Sequence, residues 1–229
     1  MAWLSDGGIG SSDCEVLRDA ALAQPVNALT SLAYVAVGVA IIAVAVKRRV
    51  WIAESVVYGV CVAAVGGGSV LFHGPQPDGS RLLHDLPILF TVIFIVVNDV
   101  AVLRAGETRR WLLFGAGCVA ATGLTVIDIN IGTAATGIGV GAIAVLEFLI
   151  YRRHLRPAVT ARQRRGYAAI IAVAALGAMS WLLGRTGSPA CDPDAAFQFH
   201  GLWHIVSALV FGLWWWLAFD GRLRRSTPG

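Results

Sequence analysis

The chain has 229 residues, 57% of them hydrophobic and only 14% charged, with a formal net charge of +4 and a mean hydropathy of +0.70. A soluble domain of this length is excluded, since such domains are about 45–50% apolar and about 25% charged. Runs of about 20 apolar residues, enough to cross a hydrocarbon core of about 30 Å, recur along the chain and predict an all-α integral membrane bundle of seven helices.

Residues 1–24 form a polar amino-terminal segment carrying Asp13, Cys14, Glu15 and Asp19. Met1 to Gly10 lacks a basic region followed by an apolar stretch, so no cleavable signal is expected. The first span, Pro25 to Val46, then acts as its own insertion signal, and Lys47, Arg48 and Arg49 follow it. The second span, Trp51 to Phe72, contains Ser69 and delivers His73 to its far end. Gly66, Gly67 and Gly68 offer it a small face for helix contact, as Gly137 and Gly141 do later in the chain. The third span, Leu82 to Leu103, opens with His84, Asp85 and Pro87. A proline is tolerated in a helix's first turn, where its missing N–H has no intrahelical acceptor. Deeper in that span lies Asp99, which either pairs with another helix or marks an aqueous cavity.

The fourth and fifth spans, Trp111 to Ile129 and Gly132 to Tyr151, lead into a basic loop, Arg152 to Gly166, expected along the lipid headgroups. The sixth span is Tyr167 to Gly184, and Arg185 and Cys191 lie in the loop beyond it. The seventh, Phe197 to Phe219, starts with His200 and His204 and ends with Trp214, Trp215 and Trp216, an interfacial belt. Residues 220–229 make a basic tail. With no linker and no convincing internal repeat, residues 1–229 are expected to be one domain.

Basic residues set the orientation, because cytoplasmic loops retain lysine and arginine. Of the 18, about 15 fall on one side, and only Arg18, Arg81 and Arg185 on the other. The amino terminus is therefore expected outside and the carboxyl terminus inside. Topology accounts for the positive charge, and nucleic acid is not expected as a partner. Arginine outnumbers lysine 17 to 1, as in GC-rich bacterial genomes, which points to a bacterial cytoplasmic membrane. Cys14 and Cys191 both lie on the outer side, where a disulfide between them is expected; from the residues alone, two free thiols are the alternative.

His73 ends a span that runs outward, and His200 and His204 begin one that runs inward. Four of the five histidines and Asp85 thus share one thin outer layer, and ionisable groups sharing a depth in a membrane usually mark function. His200 and His204, four apart, project from one helix face. Together with His73 they offer three imidazoles and an open fourth position, the ligand set of a catalytic zinc site. Asp85 is a candidate to accept a proton from water and return it to a leaving amine. Ser69 is a candidate to hydrogen-bond the water or an oxyanion, or simply its own helix.

These residues resemble a known group. Gly68-Ser69-x-x-Phe72-His73, an acidic residue shortly before Pro87, and His200-Gly201-x-Trp203-His204 are similar to the motifs of the alkaline ceramidases, in the superfamily that also holds adiponectin-type receptors. Asp13-Cys14-Glu15 and Pro25-x-Asn27 add to the likeness, which extends over the full length. The resemblance implies a membrane zinc amidase that cleaves ceramide, or a ceramide-like N-acyl lipid, to a sphingoid amine and a fatty acid. It implies zinc on His73, His200 and His204, Ser69 beside the metal, and a Cys14–Cys191 disulfide. In that family's pattern the acid stands three residues before the proline; here His84 holds that place and Asp85 follows, so both are candidate proton shuttles. The eukaryotic relatives also carry an outer calcium site, to which Asp13 and Glu15 correspond and Asp19 can add an oxygen, with Gln24 near where a further acid is expected. Two other readings compete: a receptor of the adiponectin type, which is expected to have soluble extensions and the reverse orientation, and a haem-binding electron carrier, which needs histidines on opposite faces of a macrocycle.

Overall fold

Seven helices are long and apolar enough to cross a membrane: Pro25–Arg48, Ile52–His73, Ser80–Arg104, Arg110–Ile127, Ile129–Arg153, Ala161–Leu183 and Phe199–Phe219. They match the expected spans to within a few residues, and the described residues contain no strand. The computed structural model describes residues 8–104, 109–155 and 160–222. The start of the amino-terminal segment, part of the basic loop and most of the basic tail lie outside the described residues. The chain is thus an all-helical, multi-pass integral membrane protein, and its helices divide into two compact units, residues 1–84 with 162–229, and residues 85–161.

In the first unit, the first span is two helices, α1 (Pro25–Thr30) and α2 (Leu32–Arg48), meeting at Ser31. Pro25 fits the start of α1 because its missing N–H is one the helix would leave unpaired. Gln24, at the N-cap, makes no capping bond with its side chain. Glu15 does that work from the preceding segment: its two carboxylate oxygens accept the Val26 and Asn27 N–H groups, both at 2.8 Å, and a negative charge at a helix N-terminus is favourable.

A sharp turn with Arg49 and Trp51 both at positive φ (54° and 46°) leads into α3 (Ile52–His73). α2 and α3 pack backbone to backbone at Gly38 and Gly59, where a Cβ on either would collide with the other's carbonyl oxygen. Of the three consecutive glycines, Gly66 packs against Ser31 and Val35, Gly68 against the Leu83 backbone, and Gly67 faces open space.

α4 (Ser80–Arg104) begins earlier than the sequence suggests, so Pro87 lies inside the helix rather than in its first turn. Without an N–H at Pro87, the carbonyl of Leu83 loses its helical donor. That same carbonyl presses on the vacant Cβ position of Gly68. α7 (Ala161–Leu183) and α8 (Phe199–Trp216, continued by a π-helical turn over Leu217–Arg222) complete the unit apart from Ala161.

Between α7 and α8 the loop is fastened to the amino-terminal segment. Cys14 and Cys191 form a disulfide with Cα atoms 5.5 Å apart. The Cys14 N–H donates to the Gly184 carbonyl at 2.8 Å, and the Thr186 N–H to Ser12 at 3.0 Å. Gly184 also abuts the His200 backbone so closely that a Cβ would be 2.5 Å from the His200 nitrogen.

The second unit takes α4 from Asp85 onward, α5 (Arg110–Ile127), α6 (Ile129–Ile150) and a π-helical turn at Tyr151–Leu155. Only Asp128 separates α5 from α6, and its carboxylate caps α6 by accepting the Asn130 N–H at 2.9 Å. Gly132 packs against Thr125, and Phe94 of α4 meets Phe114 with ring centroids 5.6 Å apart. Gly137 and Gly141 have open space where a Cβ would stand, so their smallness serves no helix contact in this structure. Large apolar side chains such as Val119, Ile127 and Ile138 are about three-quarters exposed, which suits helices solvated by acyl chains.

Candidate metal centre

His73 is the last residue of α3, and His200 and His204 stand in the first two turns of α8. Because the two helices run in opposite directions, all three rings arrive at one end of the first unit. All three are buried, and one ligand atom from each lies within 4.8 Å of the other two. Ring centroids are 5.1 Å apart for His73 with His200 and with His204, and 4.6 Å for His200 with His204.

The surrounding oxygens decide which nitrogens point inward. The Gln24 amide N–H₂ donates to the carbonyls of Gly10 at 3.1 Å and Glu15 at 2.7 Å, leaving its Oε1 to face the His73 Nδ1 at 2.7 Å. That oxygen only accepts, so Nδ1 carries the proton. The His73 Nε2 is left as a lone pair, buried and without a hydrogen-bond partner. Around the His204 Nδ1, the Asn27 carbonyl at 3.1 Å and the hydroxyls of Thr30 and Ser31 at 3.2 Å supply acceptors, so its Nε2 is also free to ligate. The His200 Nδ1 lies 3.3 Å from a carboxylate oxygen of Asp13, at ion-pair range though without hydrogen-bond alignment. Each imidazole thus has an oxygen behind it, the arrangement that orients histidine ligands on a metal. A buried, unpartnered ring nitrogen is costly in isolation, and a cation between the three rings would remove that cost. The residues fit a metal ion.

Asp13 is itself buried and shows what the site does to charge. Desolvation pushes its carboxyl up to about 6, against the opposing pull of Arg185 and His84. The Arg185 guanidinium is 3.9 Å away.

Ser69, one turn before His73, is buried, and its hydroxyl lies 2.8 Å from that of Ser31. Its partner is therefore a second helix. The His84 ring contacts Phe72 at 4.6 Å and stands edge-on to His73 at 6.1 Å, centroid to centroid. Asp85 comes one position later on α4, half-buried, as the first residue of the second unit.

Asp13, Glu15 and Asp19 are not brought together as a cation site. The carboxylate of Asp13 faces His200 and Arg185, both oxygens of Glu15 are taken by the α1 N-terminus, and Asp19 is exposed. Among the described residues, the three histidines are the group of histidine, cysteine and acidic side chains that converges as metal ligands would.

Gln24, Asn27 and Ser31 stand behind the His73 and His204 rings, a placement that motif reading does not give them. Their signal is a polar stripe at intervals of three and four residues, Gln24, Asn27, Ser31 and Tyr34, along one face of an otherwise apolar span.

No curated protein matches the chain. The Ceramidase family model matches residues 18–219, from the amino-terminal segment through the last span, and with that extent of agreement the chain belongs to the Ceramidase family.

Proposed function

We propose that this membrane hydrolase is a zinc-dependent amidase that cleaves the N-acyl bond of ceramide or a ceramide-like lipid. The convergence of His73, His200 and His204, each backed by an oxygen at Nδ1, is the observation that carries this reading. Three neutral imidazoles with an open side suit a catalytic rather than a structural zinc. Zinc bound there supplies Lewis acidity and lowers the pKa of water to about 7.

The chain's own residues do the rest. Gln24 and the Asn27 carbonyl hold the His73 and His204 rings in one tautomer and one direction, and the Asp13 carboxylate stands behind His200. Ser69, buried beside His73, donates a hydrogen bond to the oxygen that becomes anionic when the acyl carbon turns tetrahedral. In the net reaction the C–N bond breaks, water oxygen bonds to the acyl carbon, and a water proton ends on the amine. A group must carry that proton. His84 has a ring contact with a ligand in its favour, and Asp85 follows it at about 100° around the helix. The substrate enters from the bilayer with its acyl chain between apolar helices. We read the histidine end as the outer face, because Lys47, Arg48 and Arg49 cluster at the other end of α2.

Elemental analysis and a panel of N-acyl lipids test the assignment. About one zinc per chain and release of fatty acid from ceramide or a close analogue are expected. A fully zinc-loaded protein that frees no fatty acid from any member of the panel would overturn it, and a Soret band in place of zinc would favour haem. His84→Ala and Asp85→Asn separate the shuttle candidates: the true shuttle loses turnover by about 100-fold or more with zinc retained, and the other does not.

A further inference from the structure

The opposite end of the same helices holds a second site. A cavity of about 580 Å³ opens between the α2–α3 turn and the end of α8, lined by Arg48, Arg49, Trp51, Trp215, Trp216 and Phe219 among others. It lies about 30 Å from the histidines, the length of α3 at 1.5 Å per residue. Neither Arg48 nor Arg49 has an acidic partner among the described residues.

The walls are held by contacts within the fold. The Trp215 indole N–H donates to the Ser55 hydroxyl at 2.9 Å. Trp51 and Trp215 both lean on Phe219, with centroids 6.1 and 6.4 Å apart. The guanidinium of Arg162 covers the Trp216 ring at 4.7 Å. Arg49 at the C-cap of α2 and Trp51 at the N-cap of α3 both take positive φ, a conformation uncommon for residues other than glycine, which turns the chain sharply at the mouth of the cavity. An ordinary interfacial belt needs neither a cavity nor a strained turn.

From these features we infer that this cavity binds the phosphate headgroup of an anionic phospholipid from the leaflet opposite the histidines. Two forked guanidiniums match a phosphodiester. The aromatic walls suit the glycerol and first methylenes of a lipid standing at the hydrocarbon edge, a need that free phosphate does not have. The bound lipid would bridge the α2–α3 turn and the end of α8, fastening the helices at the end remote from the metal.

The test uses full-length protein, stripped of lipid in an uncharged detergent and titrated with phosphatidylglycerol, phosphatidylcholine or inorganic phosphate under native mass spectrometry. One phosphatidylglycerol per chain is expected, at about tenfold or greater preference over phosphatidylcholine, and undisturbed by millimolar phosphate. Arg48→Gln with Arg49→Gln should lose that preference. Arg48→Lys with Arg49→Lys, which keeps the charge that governs insertion, should weaken it several-fold. Equal binding of the two lipids, or full binding by the glutamine pair, would overturn the proposal. Displacement by inorganic phosphate would reassign the cavity to a free anion and overturn the lipid. If the glutamine pair does not fold, the headgroup comparison and the lysine pair still decide.

Discussion

The two ends of α3 and α8 solve opposite problems with the same helices. At one end Ser69, His73, His200 and His204 are buried, and the Nδ1 of each ring faces an oxygen of Gln24, Asn27 or Asp13. At the other, Arg48 and Arg49 reach the surface and aromatic rings line a cavity between the α2–α3 turn and the end of α8. Polar atoms withdrawn from water need every partner specified, whereas cations at a surface keep their hydration, so that replacing them costs the fold itself little. The buried end should therefore be brittle and the exposed end forgiving.

The largest expected effect comes from taking away a ligand. His204→Ala should reduce zinc to a small fraction of one per chain and abolish hydrolysis, measured on protein purified without added metal. Next is Cys191→Ser, which opens the tie between the amino-terminal segment and the last loop. It should lower stability by about 2–4 kcal/mol, read as a fall in thermal midpoint, and loosen zinc because Asp13 adjoins Cys14. Gln24→Ala should weaken zinc binding by about 10–100-fold in competition with a fluorescent chelator, and Gln24→Glu should recover part of that by keeping an acceptor at His73. Trp215→Phe at the opposite end should be mildest for the metal: it leaves the buried Ser55 hydroxyl without its indole donor, costing about 1–3 kcal/mol of stability, with zinc content unchanged. If Trp215→Phe removed zinc as thoroughly as Gln24→Ala, the contrast between the two ends would fail.

Much of this was legible in the sequence. Uninterrupted apolar runs carry their own evidence, and the spacing of His200 and His204 with the opposed direction of His73 pointed to the three imidazoles that converge in the candidate metal centre. What stayed hidden acts across elements. Gln24 looked like a missing acid in a calcium site, yet its amide is spent on two carbonyls and His73. Asn27 serves through its backbone carbonyl, which any residue possesses, so its side-chain identity carries little of that signal. Glu15 looked like a cation ligand and caps a helix from ten residues upstream. Pro87 seemed to mark the start of α4 because a proline's ease in a first turn is a local rule, whereas Gly68 and the Leu83 carbonyl accommodate it within the helix.

The fastening of Cys14 to Cys191 also joins one of the first parts of the chain to one of the last to be made. The two cysteines are 177 positions apart, and His200 belongs to the final span, so the nascent chain holds an incomplete set of ligands until synthesis is nearly over. The segment that carries Asp13 is tied to the loop before the last helix, and Asp13 stands behind His200 of that helix. A chain cut short before the last helix would lack His200 and His204, two of the three imidazoles of the candidate metal centre.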